Sequence, residues 1–248
     1  MSDVVGKSVL VTGGASGIGE ATVRMLVQKG ARVALMDRDA DRVRRLTQEL
    51  ASVGEIVSFV GDITRPEDAD DAVSGTVHRF GLIDVLVNNA GGGRLLPTEE
   101  LDLATWRSMI ELNLDGTFIM SQRAIKQMLL QGGGTIVNVA SVHGYVGFAH
   151  HAAYSAAKSG VLNLTRSLAV EYGARRIRVN AVCPGVIATP LTKAQITPEI
   201  EAQFAALHPL NRLGLPEEVA AAICFLASDA ASFITGASLM VDGGYSAQ

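Results

Sequence analysis

Seven short apolar runs alternate along this chain with longer stretches of helical periodicity, and that rhythm leaves few folds open. Lys7–Thr12, Arg32–Met36, Ile56–Val60, Asp84–Asn88, Thr135–Val139, Arg178–Val182 and Ser238–Val241 read as strands. Between them, Ile18–Lys29, Ala40–Leu50, Pro66–Arg79, Ala104–Leu130, Tyr154–Tyr172 and Pro216–Leu226 read as helices. Gly30 stops the first of these, proline opens the third, and Gly132–Gly134 end the long fourth. Strands separated by helices pair in parallel and are buried on both faces, so their sequences are continuously apolar rather than alternating. The expectation is an α/β, doubly wound, seven-stranded and mostly parallel sheet with helices on both faces. No linker, repeat or low-complexity tract divides residues 1–248, which read as one domain. The segment 189–212 breaks the rhythm, carries Pro190, Pro198 and Pro209, and reads as a partly helical lid after the sixth strand.

Composition excludes several function classes. Forty-eight per cent of the residues are hydrophobic, enough for a sizeable core, and a net charge of −4 gives no nucleic-acid footprint. No apolar run reaches the roughly 18–20 residues that cross a bilayer. The N-terminus has no basic and then apolar leader, so a cytoplasmic protein without membrane association is expected. Cys183 and Cys224 form no CxxC and read as buried, reduced thiols.

The turn after the first strand is Thr12-Gly13-Gly14-Ala15-Ser16-Gly17-Ile18-Gly19, and it runs directly into a helix. Glycines let backbone approach a phosphate closely, and a helix N-terminus offers free N–H groups with partial positive charge. Strand before and helix after supply the context that a glycine-rich turn alone lacks. Asp37 closes the second strand, eighteen residues beyond Gly19. An acid there accepts from adenosine ribose hydroxyls and repels a 2′-phosphate, which favours NAD over NADP. Arg38 beside it works in the other direction. Asp62 after the third strand and Asn88-Asn89-Ala90-Gly91 after the fourth lie at strand ends, where ligands bind in such sheets. These features make the sheet a Rossmann fold.

A second constellation lies further on. Tyr154 and Lys158 stand four residues apart, one helical turn, and Ser141 precedes Tyr154 by thirteen. A free phenol titrates at about 10 and is a poor base at neutral pH. A fixed cation nearby favours the phenolate, so the sequence predicts a lowered Tyr154 pKa.

Taken together and in order, these motifs resemble the short-chain dehydrogenase/reductase family of the single-domain type. The likeness spans essentially all 248 residues and includes Asn113, Pro184-Gly185 with Thr189, and Asp242-Gly243-Gly244. It implies Tyr154 as general acid/base and Lys158 as tuner of that tyrosine and holder of the nicotinamide ribose. It implies Ser141 as the hydroxyl that polarises the carbonyl, and Asn113 as the residue that interrupts the long helix and helps hold a water leading to the lysine. Cofactor contacts are implied at Gly13, Ser16, Gly17, Ile18, Gly19, Asp37, Asp62, Ile63, Asn89, Ala90, Gly91, Pro184, Gly185, Ile187 and Thr189, besides Tyr154 and Lys158. The implied cofactor is NAD, the partner a small alcohol or ketone, and the assembly a homotetramer paired through the two long helices.

Between Ser141 and Tyr154 lie His143, Tyr145, Phe148, His150 and His151, which together with the lid from Leu191 onward should rim a pocket. No third ligand at metal-site spacing accompanies the histidines, so no metal is expected. The leading reading is an NAD-dependent oxidoreductase interconverting a secondary alcohol and its ketone. A 3-oxoacyl-thioester reductase using NADPH is the alternative within the class. It would need a basic docking patch, for which Arg175, Arg176 and Arg178 are the candidates. A non-catalytic nucleotide-binding regulator is disfavoured by the intact Ser141, Tyr154 and Lys158. A sugar-nucleotide epimerase or dehydratase would need a separate substrate domain.

Overall fold

The computed structural model describes residues 4–248, the side chain of Gln195 excepted. Seven strands form one sheet: β1 (Ser8–Thr12), β2 (Arg32–Asp37), β3 (Ile56–Val60), β4 (Val85–Asn88), β5 (Gly134–Val139), β6 (Ile177–Pro184) and β7 (Ser238–Val241). Their order is β3-β2-β1-β4-β5-β6-β7. Every pairing between them is parallel, so the expected mostly parallel sheet is parallel throughout the described residues. The order reverses between β1 and β4, and the crevice at that reversal is where a doubly wound sheet offers room for a ligand.

Alternate strand residues feed opposite cores, as strand geometry requires. Val9, Val11, Val33, Leu35, Val85 and Val87 face helices α1 (Gly17–Gln28), α2 (Ala40–Leu50) and α9 (Pro216–Ala227). Leu10, Ala34, Met36, Leu86 and Ile136 face α3 (Pro66–Phe80), α5 (Gly116–Gln131) and α6 (Ala152–Tyr172). Burial on both faces explains why the central strands are mostly apolar rather than alternating.

Two segments depart from the sequence expectation. The predicted helix over 104–130 is instead α4 (Leu103–Ile110), a π-turn over Glu111–Asp115, and α5. The extra residue of the π-turn carries Asn113 inward, where it is fully buried. The lid contains two short helices, α7 (Pro190–Gln195) and α8 (Pro198–Ala206). Each begins with proline after a threonine cap: Thr189 accepts from the Thr192 N–H and Thr197 from the Ile200 N–H.

Beneath the crevice runs a buried polar ladder. Asn88 Nδ2 donates to Asn138 Oδ1 and to Ser121 Oγ, both at 2.9 Å, and Asn138 Nδ2 donates to Thr165 Oγ1 at 2.9 Å. It joins β4, β5, α5 and α6 below the strand ends. Asn138→Ala removes the shared partner and leaves Asn88 and Thr165 short of a bond, so unfolding by denaturant should show a loss of roughly 2–4 kcal/mol. A loss below about 0.5 kcal/mol, the range of ordinary surface changes, would contradict the ladder's role.

Candidate active site

At the strand ends the structure opens a cavity of about 670 Å³. One end is built by β1, β2 and the start of α1. Ser16, the residue before α1, is extended and makes no side-chain cap, so the helix's first N–H groups point outward without help from it. Gly13 lies at φ +60°, and a methyl there would meet Ala90 Cα at 2.8 Å. Thr12 and Asn89 clamp this turn to the end of β4. Thr12 Oγ1 accepts from the N–H groups of Asn89 and Ala90, while Asn89 Nδ2 donates to the carbonyls of Thr12 and Gly13 at 3.0 and 2.9 Å. Gly13, Ser16, Gly17 and Ile18 line the cavity, together with Asn89, Ala90 and Gly91.

Gly19, expected to touch the cofactor, is not among the residues that line it. It is buried behind the turn, where a methyl would stand 2.0 Å from the Gly13 carbonyl oxygen. Its place is fixed by close packing of helix on loop.

Asp37 stands at the end of β2 with both carboxylate oxygens held. Oδ2 accepts from the Ala15 N–H at 3.0 Å and Oδ1 from the Asp39 N–H at 3.1 Å. Arg38 and Arg42 share this wall, but Arg42 is paired with Asp39 at 3.1 Å. Asp62 and Ile63 follow β3 and also line the cavity; Asp68 accepts from the Asp62 N–H at 2.8 Å and fixes the turn. These residues fit a dinucleotide: close backbone approach, a helix N-terminus for phosphates, and a held carboxylate for a ribose.

The other end holds Ser141, Tyr154 and Lys158. Lys158 is buried, and its Nζ donates to the Val139 carbonyl at the end of β5 at 2.8 Å. Burial with no carboxylate to pair it lowers its pKa to about 8. Its Nζ lies 5.7 Å from the centre of the Tyr154 ring. The predicted lowering of Tyr154 is corrected here: burial pushes the phenol up, and a hydrogen bond from Ser141 works against that push. Four-residue spacing sets the neighbour but not its orientation, and the Lys158 Nζ donates to backbone. Asn113 lies beside the site without lining it. Its Oδ1 accepts from the Gly92 N–H at 3.1 Å, and its Nδ2 donates to the Gly92 and Met109 carbonyls at 2.9 and 3.0 Å.

Pro184, Gly185, Ile187 and Thr189 form the roof between the two ends. His208, in the lid segment, was not picked out by sequence reasoning although it pins that roof. Its Nε2 accepts from the Val186 N–H at 3.2 Å, which leaves Nδ1–H to donate to the Phe204 carbonyl at 2.7 Å. A histidine isolated in an irregular segment carries no periodic signal that would have found it. The two thiols are free and buried, each raised to about 11 by desolvation, so both are protonated at neutral pH.

His143 stacks on Phe148 with ring centres 4.4 Å apart, and its Nδ1 meets His151 Nδ1 at 3.2 Å. Burial first, and then the neighbouring His151 and His208, lower His143 to about 4. His151 is lowered too, mainly by burial. His150, expected at the rim, is left-handed at φ 63° and does not line the cavity.

Comparison with known proteins agrees with this geometry. The family model adh_short_C2, described as Enoyl-(Acyl carrier protein) reductase, matches residues 13–246. The chain is 48% identical over 242 residues to cis-4-hydroxycyclohexanecarboxylate dehydrogenase of Sinomonas cyclohexanicum, covering 96% of each. It is 41% identical to a 3-oxoacyl-(acyl-carrier-protein) reductase of Thermotoga maritima, covering 96% of this chain and 97% of that one. A crystal structure of a short-chain type dehydrogenase/reductase from Mycobacterium marinum superposes with a TM-score of 0.95 at 33% identity, covering 99% and 98%.

The low His143 pKa makes a pH prediction. Between its ordinary 6.5 and about 4 the unfolded chain binds a proton that the folded chain refuses, so this stability is present above pH 6.5 and is lost as pH falls toward 4. Denaturant unfolding at successive pH values should show His143→Leu flattening that slope by roughly one proton. An identical slope in both proteins would contradict the assignment.

Proposed function

We propose that this chain, which belongs to the short-chain dehydrogenase/reductase family and is an oxidoreductase acting on CH–OH groups, interconverts a small or medium secondary alcohol and its ketone with NAD. One observation carries the reading. Ser141, Tyr154 and Lys158 line the same cavity as the α1 N-terminus and the Asp37 carboxylate. Hydride acceptor and proton acceptor thus share one chamber.

Bound NAD supplies the hydride acceptor and a positive charge beside the reacting carbon. Gly13, Ser16, Gly17 and Ile18 hold the pyrophosphate, and Asp37 the adenosine ribose. Asp62 and Ile63 border the adenine, and Asn89, Ala90 and Gly91 the middle of the dinucleotide. Pro184, Gly185, Ile187 and Thr189 grip the nicotinamide carboxamide.

The protein's own work is the proton. Tyr154 takes it from the substrate hydroxyl as the phenolate, and as the phenol returns it to the carbonyl oxygen in reduction. The Ser141 hydroxyl donates to the substrate oxygen and steadies the charge that develops there. The Lys158 ammonium, steadied by the Val139 carbonyl, holds the nicotinamide ribose. Asn113 positions Gly92, and through it the loop between β4 and the substrate.

Preference for NAD is supported by the anchoring of Asp37. Two backbone N–H groups keep its charge where a 2′-phosphate would sit, and Arg42 is engaged by Asp39. The reductase relative favours a second reading, reduction of a 3-oxoacyl thioester on a carrier protein with NADPH. The docking patch that reading needs is weakened, because Arg178 is turned inward. It donates to the carbonyls of Leu226, Ser228 and Ile234 and closes the C-terminal end of α9.

Partly exposed Phe118 on α5 and largely exposed Val170 on α6 support pairing of these helices in a homotetramer. No helix among the described residues is long and apolar enough to cross a membrane.

Secondary alcohols and ketones assayed at the nicotinamide absorbance, with NAD and NADP separately, test the whole reading. Asp37→Ala should lower the ratio of kcat/KM with NAD to that with NADP by about tenfold or more, the scale of one close charge repulsion. A ratio that does not move would remove Asp37 from cofactor choice.

A further inference from the structure

We infer that His151 is a specificity-determining residue, whose Nε2–H donates to a second, uncharged oxygen on the substrate, with His143 as the positioning residue that fixes its tautomer. This inference rests on the alcohol-oxidising reading above and names the substrate class that site selects: a compact, largely apolar alcohol, such as a ring diol or hydroxyketone.

The Nδ1 atoms of His143 and His151 stand 3.2 Å apart. Only one proton fits between them, so one ring must carry its other hydrogen on Nε2 and the other ring must have a bare Nε2. The His143 Nε2 is buried with no partner. A buried N–H without an acceptor is the rarer and costlier arrangement, so the bare nitrogen belongs there. His143 then donates from Nδ1, and His151 carries its hydrogen on Nε2. Stacking on Phe148 holds the His143 ring in place for this. Burial lowers both imidazoles, which keeps the pair uncharged at neutral pH.

The His151 Nε2 faces the substrate end. A methyl on Gly93, itself in the cavity wall, would stand 3.4 Å from it and 3.1 Å from Tyr154 Cδ2. The His151 ring lies 5.2 Å from the Tyr154 ring, centre to centre. The donor therefore stands beside the tyrosine that works on the carbinol, at the spacing of a second group on a small ring.

The surrounding wall sets the rest of the class. Leu95, Phe148, Leu191, Ala194, Ile196 and Phe204 supply apolar surface. Among the described residues lining the cavity, Lys158 is the cation at this end, while Arg38 and Arg42 stand with Asp37 at the other. Arg94, between the wall residues Gly93 and Leu95, is exposed and does not line the cavity. A neutral donor in an apolar wall suits a hydroxyl or carbonyl, and offers a carboxylate no counter-charge.

The test uses the full-length enzyme with cyclohexanol, cyclohexane-1,2-diol, cyclohexane-1,4-diol and 4-hydroxycyclohexanecarboxylate. The wild type should show its highest kcat/KM with one of the diols and its lowest with the carboxylate. His151→Phe should lower kcat/KM on the better diol by about tenfold, mainly through KM, and on cyclohexanol by no more than about twofold. His151→Gln, which restores an N–H donor, should recover part of the diol activity. Equal losses on diol and cyclohexanol, no loss on the diol, or preference for the carboxylate would each overturn the inference while leaving the alcohol-oxidising reading intact. A wild type that oxidises none of these or other secondary alcohols with either cofactor would refute that reading, and this inference with it.

Discussion

An ammonium buried at the end of β5, with no carboxylate to pair it, is the constraint around which this molecule is arranged. Lys158 is held by the Val139 carbonyl and lies one helical turn beyond Tyr154. That bond joins the N-terminal half of α6 to the strand ends, beside the packing of Val161 and Leu162 on Ala140, Ala181 and Cys183. The phenol and the roof residues Pro184, Gly185, Ile187 and Thr189 line the same cavity. Burial lowers the lysine and raises the tyrosine, so the protein's own groups keep the proton on the phenol and leave the amine near its midpoint in mildly alkaline solution. A positive ring bound beside them would favour the phenolate and work against that burial.

Rigidity at the other end has a different source. The Thr12–Asn89 clamp ties the β1 turn to the β4 turn across the reversal of strand order, and the glycine backbone there has no room for side chains. Below it, the Asn88–Asn138–Thr165 ladder links sheet to helices. Polar networks in a dry core are stabilising only when their members are paired, and they specify one arrangement of the elements they join. Both ends of the cavity are thus fixed to one scaffold, and the lid is tied to the β6 end through His208.

Most of the sheet was legible in the sequence because parallel strands are apolar on both faces. Each predicted strand lies within a residue or two of its observed ends. The site residues were legible as types at strand ends and on one helix turn. What escaped has a physical reason in each case. The π-turn over Glu111–Asp115 keeps helical composition, so only Asn113 hinted at a break in 104–130. Gly19 is fixed by contact with the Gly13 carbonyl, a three-dimensional fact that a glycine count cannot separate from phosphate approach. The direction of the Tyr154 shift depends on where Lys158 points. The His143–His151 contact is made by a loop whose turns, including left-handed His150, have no period to read.

The account stands on the Tyr154 phenol moving the proton beside a bound dinucleotide. Replacing it by phenylalanine, which keeps the ring and its packing, and measuring both kcat and NADH affinity, addresses that claim most directly. Turnover should fall by roughly 10²–10⁴-fold, the usual worth of a general acid/base, while the NADH dissociation constant stays within about twofold. Turnover that survives, or a loss of NADH binding as large as the loss of rate, would contradict the account.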